Sequence, residues 1–225
     1  MNQARRAIIL ASAALLLSAC GGGKAAVRRA PAATATHASA TAAAPTPPPL
    51  GAVPTLAPDL AATLKSYALA LGDLPSGYSL GVQQELPNAT ASQGYADPAA
   101  VAKEIEQSGR QGGIAQQVFS ATSGGELGVT IEAFKDAAGA QAWVAHPPPY
   151  PASMNATPAT LPAPLGEQDA AIHWTQDGNS GYVINFRRGR FVFGLGLSAP
   201  AGTESLNALL PLAQALDAKA KKQTS

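Results

Sequence analysis

Cysteine occurs once in these 225 residues, at Cys20. A single thiol closes no internal disulfide and builds no Cys-cluster metal site, which excludes disulfide scaffolds and zinc ribbons. Histidine is almost as scarce. His37, His146 and His173 are the three, and none has a second histidine at a spacing that completes a zinc set. Aromatic residues are 5% and charged residues 13% of the chain. No G-x-S-x-G elbow, Walker loop, H-E-x-x-H or G-x-G-x-x-G occurs, so the signatures of several large enzyme classes are missing. Neither a metal nor a cofactor is implied. Long apolar runs are absent too: Ile8 to Leu17 is about half of the ~20 residues that a membrane-crossing helix needs.

Excess charge of either sign is also lacking. Fifteen basic and fourteen acidic residues leave a formal net charge of +1. A nucleic-acid binder normally shows a basic domain or stripe, so no nucleic-acid partner is expected. The balance is a sum of unequal parts. Met1 to Pro58 holds five basic residues (Arg5, Arg6, Lys24, Arg28, Arg29) and no acid. Asp59 to Ser225 holds ten basic against fourteen acidic residues, a balance of −4. A cationic leader is joined to a mildly acidic body.

The leader reads as an address. Arg5 and Arg6 precede the apolar run, and Leu17-Ser18-Ala19-Cys20 follows it, which is the order of a secretory signal. Leu17-Ser18-Ala19-Cys20 resembles the lipobox of bacterial lipoproteins. That resemblance implies removal of residues 1–19 and acylation of Cys20, with diacylglyceryl on the thiol and palmitate-type chains anchoring the protein to membrane lipid. Several acyl chains hold a protein where one binds only marginally. The expected location is the extracytoplasmic side of the cell envelope. Gly21 stands where an inner-membrane retention signal often has aspartate, which favours the outer membrane if the host has one and the plasma membrane otherwise.

Residues 20–58 combine the modified cysteine with Gly, Ala, Thr and Pro and show no hydrophobic periodicity. Such a segment cannot offset its ordering entropy and is expected to be a disordered tether. Lys24, Arg28 and Arg29 lie near the anchor, where each gains about 1 kcal/mol against anionic lipid. The pattern changes at Asp59, and residues 59–221 read as one domain with a tail at 222–225. A helix over Asp59–Leu71, a strand over Tyr78–Val82 and a helix begun by Asp97-Pro98 come first. Strands over Ile114–Thr122 and Leu127–Phe134 form a hairpin, and Asp136 caps a helix that stops at Pro147-Pro148-Pro149. Strands over Ala170–Gln176, Tyr182–Arg187 and Arg190–Leu197 read as a meander. A closing helix begins at Thr203, and Pro211 is expected to kink or divide it. The fold class is α+β: an antiparallel sheet of about six strands, with helices packed mainly on one face.

Leu74-Pro75-Ser76-Gly77-Tyr78, Asp136 to Trp143, Leu165-Gly166-Glu167 and Val183 to Arg190 resemble recurring segments of uncharacterised bacterial extracytoplasmic lipoproteins. The general layout is similar to PsbP/Mog1-type α/β sandwiches. The resemblance implies a fold and a compartment and carries no catalytic residue across.

Candidate sites are therefore read from the residues themselves. Arg187, Arg188 and Arg190 are the basic cluster of the acidic domain and are candidate anion-binding residues for anionic lipid, a glycan or an envelope protein. The proline-rich segment from His146 to Gly166 is a candidate lid carrying Tyr150 and Met154. Gly194 and Gly196 lie on one side of their strand, where a second backbone or a ligand can approach closely. His173 and Asp169 fall on one side of another strand, and His146 is expected to end a helix. The sequons at Asn88 and Asn155 are taken as chance. The expected function is a membrane-anchored, non-enzymatic binding or accessory domain. The alternatives are an envelope hydrolase working through carboxylates such as Glu132 or Asp169, and a self-associating structural component.

Overall fold

Side chains alternate between two faces along each of seven strands, and all seven join one sheet. The structure is a computed structural model and describes residues 55–95, 97–120, 125–151 and 153–224. Cys20, the lipobox and the expected tether as far as residue 54, with Lys24, Arg28, Arg29 and His37, lie outside the described residues; residues 55–58, read as the end of the tether, are described, and Leu56 is buried in the main core. The strands are β1 (Tyr78–Leu86), β2 (Arg110–Ser120), β3 (Glu126–Phe134), β4 (Asn155–Ala159), β5 (Gln168–Gln176), β6 (Asn179–Arg188) and β7 (Phe191–Pro200). They pair antiparallel throughout in the order β1-β2-β3-β7-β6-β5-β4. The β2–β3 hairpin and the β5–β6–β7 meander match the sequence reading.

The two faces of the sheet carry different chemistry. On the first face β3 presents Leu127, Val129 and Ile131, while β7 presents Phe191, Phe193, Leu195 and Leu197. Helix α1 (Pro58–Tyr67) lays Leu64 and Tyr67 on this surface, and α5 (Leu210–Thr224) adds Leu212 and Leu216. Phe186 stacks on Phe193 at 5.0 Å, and Tyr67 tilts over Phe191 at 4.7 Å. Each such side chain contributes about 1.5–3 kcal/mol on burial, so this layer is the main core.

The second face is covered at one end. Helix α3 (Pro98–Gln107) supplies Val101 and Ile105, and α4 (Ala137–Ala145) supplies Ala140, Trp143 and Val144, all packed with Phe134 and Val192. Both helices begin as their sequences predict. Asp97 accepts from Ala100 N–H ahead of Pro98, and Asp136 accepts from Gly139 N–H. The short helix α2 (Asn88–Ala91) leads into α3 through a 3₁₀ turn at Ser92–Gly94. Helices on both faces correct the expectation of one covered face. Helical periodicity shows that a helix has an apolar stripe, but not which side of the sheet receives it.

Three local readings also change. A seventh strand, β4, lies inside the proline-rich segment, where Asn155-Ala156-Thr157-Pro158-Ala159 lacks strand propensity. It is an edge strand, which tolerates Pro158 because an edge position can do without the missing N–H. Helix α1 starts at Pro58 with no side-chain cap and ends at Tyr67, so Leu71 falls in a 3₁₀ turn and stands 71% exposed. Pro211 sits in the first turn of α5, where its missing N–H costs nothing, and a separate 3₁₀ turn covers Leu206–Ala208. The β5–β6 connection is a tight turn in which Asp177 and Gly178 both take positive φ, 49° and 77°.

One buried ion pair ties three strands and α2 together. Arg110 Nε donates to Glu132 Oε1 at 2.8 Å, and its Nη1 donates to Asn88 Oδ1 at 2.6 Å. Asn88 Nδ2 returns a bond to the Arg110 carbonyl at 2.6 Å. The Arg110 side chain is 1% exposed and that of Glu132 is 15% exposed. Removing one partner strands a charge in the interior. Glu132→Ala is expected to cost about 3–5 kcal/mol in urea denaturation, whereas the paired Arg110→Met/Glu132→Leu replacement should recover most of that loss.

Candidate functional site

The strand registers arrange the second face into rows that cross the sheet. The first row runs Gly113, Glu132, Val192, Arg187 and Gln168 from β2 to β5. The second runs Gln84, Ala115, Thr130, Gly194, Asn185 and Ala170. The third runs Gln117, Gly128, Gly196, Val183 and Ile172, and the fourth runs Phe119, Glu126, Ser198, Gly181 and Trp174. Helices α3 and α4 pack on Phe134 and Val192 at the first row. Tyr150 and Met154 pack separately on Ile172, Trp174 and Val183. A Cβ at Gly181 would collide with the Leu197 carbonyl and meet Trp174 Cζ2 at 2.8 Å, so the absent side chain makes room for the neighbouring strand and for the indole.

Between those two clusters three glycines stand together on the two central strands. Gly128 faces Gly196 across the β3–β7 ladder, and Gly194 faces Thr130. Glycine inside a strand weakens it and contributes nothing to packing, so three together mark a place of close approach. The absent side chains leave a depression in the side-chain layer about two strands wide, and Gly128, Gly194 and Gly196 at its floor are themselves buried. Thr130 and Ala115 on that floor are buried.

Charged Glu132, Arg187 and Glu126 flank the glycine rows, and two tyrosines and an amide near them are uncharged. Burial pushes the Tyr150 hydroxyl up to about 12, and the Asn185 side chain acts in the opposite direction. Burial, and then the neighbouring Glu132 carboxylate, raise the Tyr95 phenol above its ordinary value. Both rings stay protonated across the physiological range. Gln84 Nε2 is buried with no hydrogen-bond partner, an arrangement that costs about 1–3 kcal/mol.

The arginine cluster is distributed rather than convergent. Arg187 pairs with Glu167 and also donates to Gln168 at 3.1 Å. Arg188 makes two bonds to Asp217 of α5, at 2.6 and 2.9 Å. Arg190 donates to Gln111 at 2.8 Å and lies over the Phe191 ring at 5.0 Å. Glu132 and Asp169 are on opposite faces: Glu132 shares the Val192 side, and Asp169 lies across from Phe186 in the main core layer. They therefore form no acid–base pair with each other. Asp169 instead accepts from Leu165 N–H at 2.6 Å, beside a pocket of about 500 Å³ lined by Pro158–Leu161 and Ala163–Pro164. His146 ends α4, as expected. Asn88 is held by Arg110, while Asn155 opens the exposed β4. Among the described residues, no group of three or more His, Cys, Asp or Glu side chains is placed to hold a metal. Also among them, no helix is long and apolar enough to cross a membrane.

His173 has a partner that lies far away in sequence. Its Nε2 is 3.0 Å from Glu204 Oε1, and its ring leans on Tyr182 at 4.9 Å. Ser180 Oγ, 1% exposed, approaches the same carboxylate without reaching hydrogen-bonding geometry. The Ser180 hydroxyl, then the His173 imidazole, and also the Gly202 N–H hold the Glu204 carboxyl down at about 2. A lowered carboxyl stabilises the fold above the unfolded value near 4.5 and loses that contribution as pH falls through about 2. Glu204→Gln should therefore flatten the acid limb of a stability–pH curve between those two values, leaving the curve above pH 5 lower but parallel.

In architecture, the chain is an α+β domain with one fully antiparallel sheet and helices on both faces. The extracellular domain of PknH from Mycobacterium tuberculosis is similar, with a TM-score of 0.50 and 11% identity over 72% of this chain and 96% of that one. This likeness concerns the fold. No family model matches the chain, and no curated protein matches it.

Proposed function

We propose that this protein is a lipid-anchored extracytoplasmic domain that binds a ligand in the glycine-floored depression and does no chemistry on it. The observation that carries this reading is the floor itself: Gly128, Gly194, Gly196 and Thr130 in the centre of a sheet whose other face is packed with large side chains. Gly194 and Gly196 are the residues expected to admit close approach, and Tyr150 and Met154, the expected lid, border the same area. A partner at Arg187, Arg188 and Arg190 would have to compete with Glu167 and Asp217, so the depression is the better site. The Leu17–Cys20 pattern supports attachment to membrane lipid through acylated Cys20, at the outer membrane if there is one and otherwise at the plasma membrane. The structural neighbour is itself an extracellular domain, which agrees with that compartment.

Mass spectrometry of the mature protein should find acylated Cys20 as the N-terminus; a chain still beginning at Met1 would defeat the anchor. The binding reading is tested by native purification followed by extraction and mass spectrometry of retained small molecules. A molecule present with the unaltered protein and missing from a folded Gly194→Val variant is expected. Absence of any retained molecule from both would count against the depression. Gln84→Met separates stability from binding. Removing an unsatisfied amide should raise stability by about 1–3 kcal/mol, read as a higher Tm, while the retained molecule is lost.

A further inference from the structure

We infer that the cavity beside β4 is a separate binding site, which takes a primary alkylammonium group with Asp169 as its counter-ion. It does not depend on the glycine-floored depression, because Asp169 stands on the main-core side of the sheet. The site arises where two strands part. Strand β4 pairs with β5 as far as Ala159 opposite Ala171, and β5 extends further along the same edge, through Ala170 and Asp169 to Gln168. The chain after Ala159 leaves that edge and is tied back to it where Leu165 N–H donates to Asp169 Oδ2 at 2.6 Å. Between loop and strand lies the cavity of about 500 Å³, within the range of about 300–1,000 Å³ usual for small-molecule sites.

The lining of the cavity and its one charge define the ligand. Pro158, Ala159, Leu161, Ala163, Pro164 and Ala171 line it with carbon, a surface for an aliphatic body. The two prolines have no N–H to offer an anion, and no lysine, arginine or histidine is among the lining residues. No aromatic ring lines it either, which removes the usual partner of a quaternary ammonium. Asp169 supplies the charge. The carboxylates of Asp73, Glu85, Glu132, Glu167, Glu204 and Asp217 each have a basic partner at 3.0 Å or less. Half-buried Asp169 forms no ion pair with any described residue. A carboxylate so placed is best satisfied by a cation that brings its own N–H donors. Because Oδ2 already accepts the Leu165 amide, Oδ1 is the open acceptor. A compact ammonium needs one oxygen, whereas a guanidinium fork engages two.

The full chain is titrated with cadaverine and with Nα-acetyl-lysine methylamide, a free amine and a peptide-type lysine side chain, while NMR follows the alanine methyl signals. Butylguanidinium, tetramethylammonium, butyrate and butanol serve as comparisons. Saturable shifts of the Ala163, Ala170 and Ala171 methyl signals are expected with at least one of the two amines, at lower concentration than with any comparison. Tighter binding of cadaverine supports the proposal with a free amine as the source of the group, and tighter binding of the lysine derivative supports it with a peptide side chain. Asp169→Asn keeps an acceptor for the Leu165 amide and removes the charge. It should weaken binding on the order of tenfold, the loss of one charge-assisted hydrogen bond, with an unaltered circular dichroism spectrum. Ala163→Leu fills the cavity from an exposed position and should abolish binding with Asp169 still in place. Amines that leave these signals unmoved, or a comparison that binds as tightly as the amines, would overturn the proposal. So would either variant binding the amines as tightly as the unaltered protein.

Discussion

The unequal loading of the two sheet faces is the constraint on which the rest of this structure depends. Strand β7 sends Phe191, Phe193, Leu195 and Leu197 to one side and Val192, Gly194, Gly196 and Ser198 to the other. With period two, shifting its register by one residue would turn the phenylalanines onto the thin face and the glycines into the core. The β3–β7 pairing that sets Gly128 against Gly196 is thus also the pairing that sets Ile131 beside Phe193. Core and depression are two sides of one register, and neither can be altered independently of the other.

That coupling explains what was legible in advance. The meander, the central hairpin and the caps at Asp97 and Asp136 depend on neighbours within a few residues, and these were read correctly from local sequence. Strand β4 was not, because Asn155–Ala159 is extended by pairing with β5 rather than by any preference of its own. The division of helices between two faces was not legible either. Leu64 and Val101 look alike as apolar positions on amphipathic helices, yet they pack on opposite sides of the sheet.

The candidate site was visible only in fragments. Gly194 and Gly196 stood out because two glycines alternate in one strand. Gly128, Thr130, Gln84 and Asn185 carried no signal of their own, since their meaning comes from standing opposite one another across strands far apart in sequence. The same holds for His173, whose partner Glu204 is 31 positions away, and for the arginine cluster. Three basic residues within four positions look like one surface feature. Alternation along β6 and the following turn sends them toward Glu167, Asp217 and Gln111.

The edges of the sheet carry a consequence for how such domains coexist. At one end β4 is five residues long and contains Pro158; at the other, β1 breaks register between Leu80 and Gln83. A short proline-bearing strand and a bulged one both make poor templates for another strand. Blunt ends let copies crowd side by side, each sheet stopping at seven strands instead of continuing into the next.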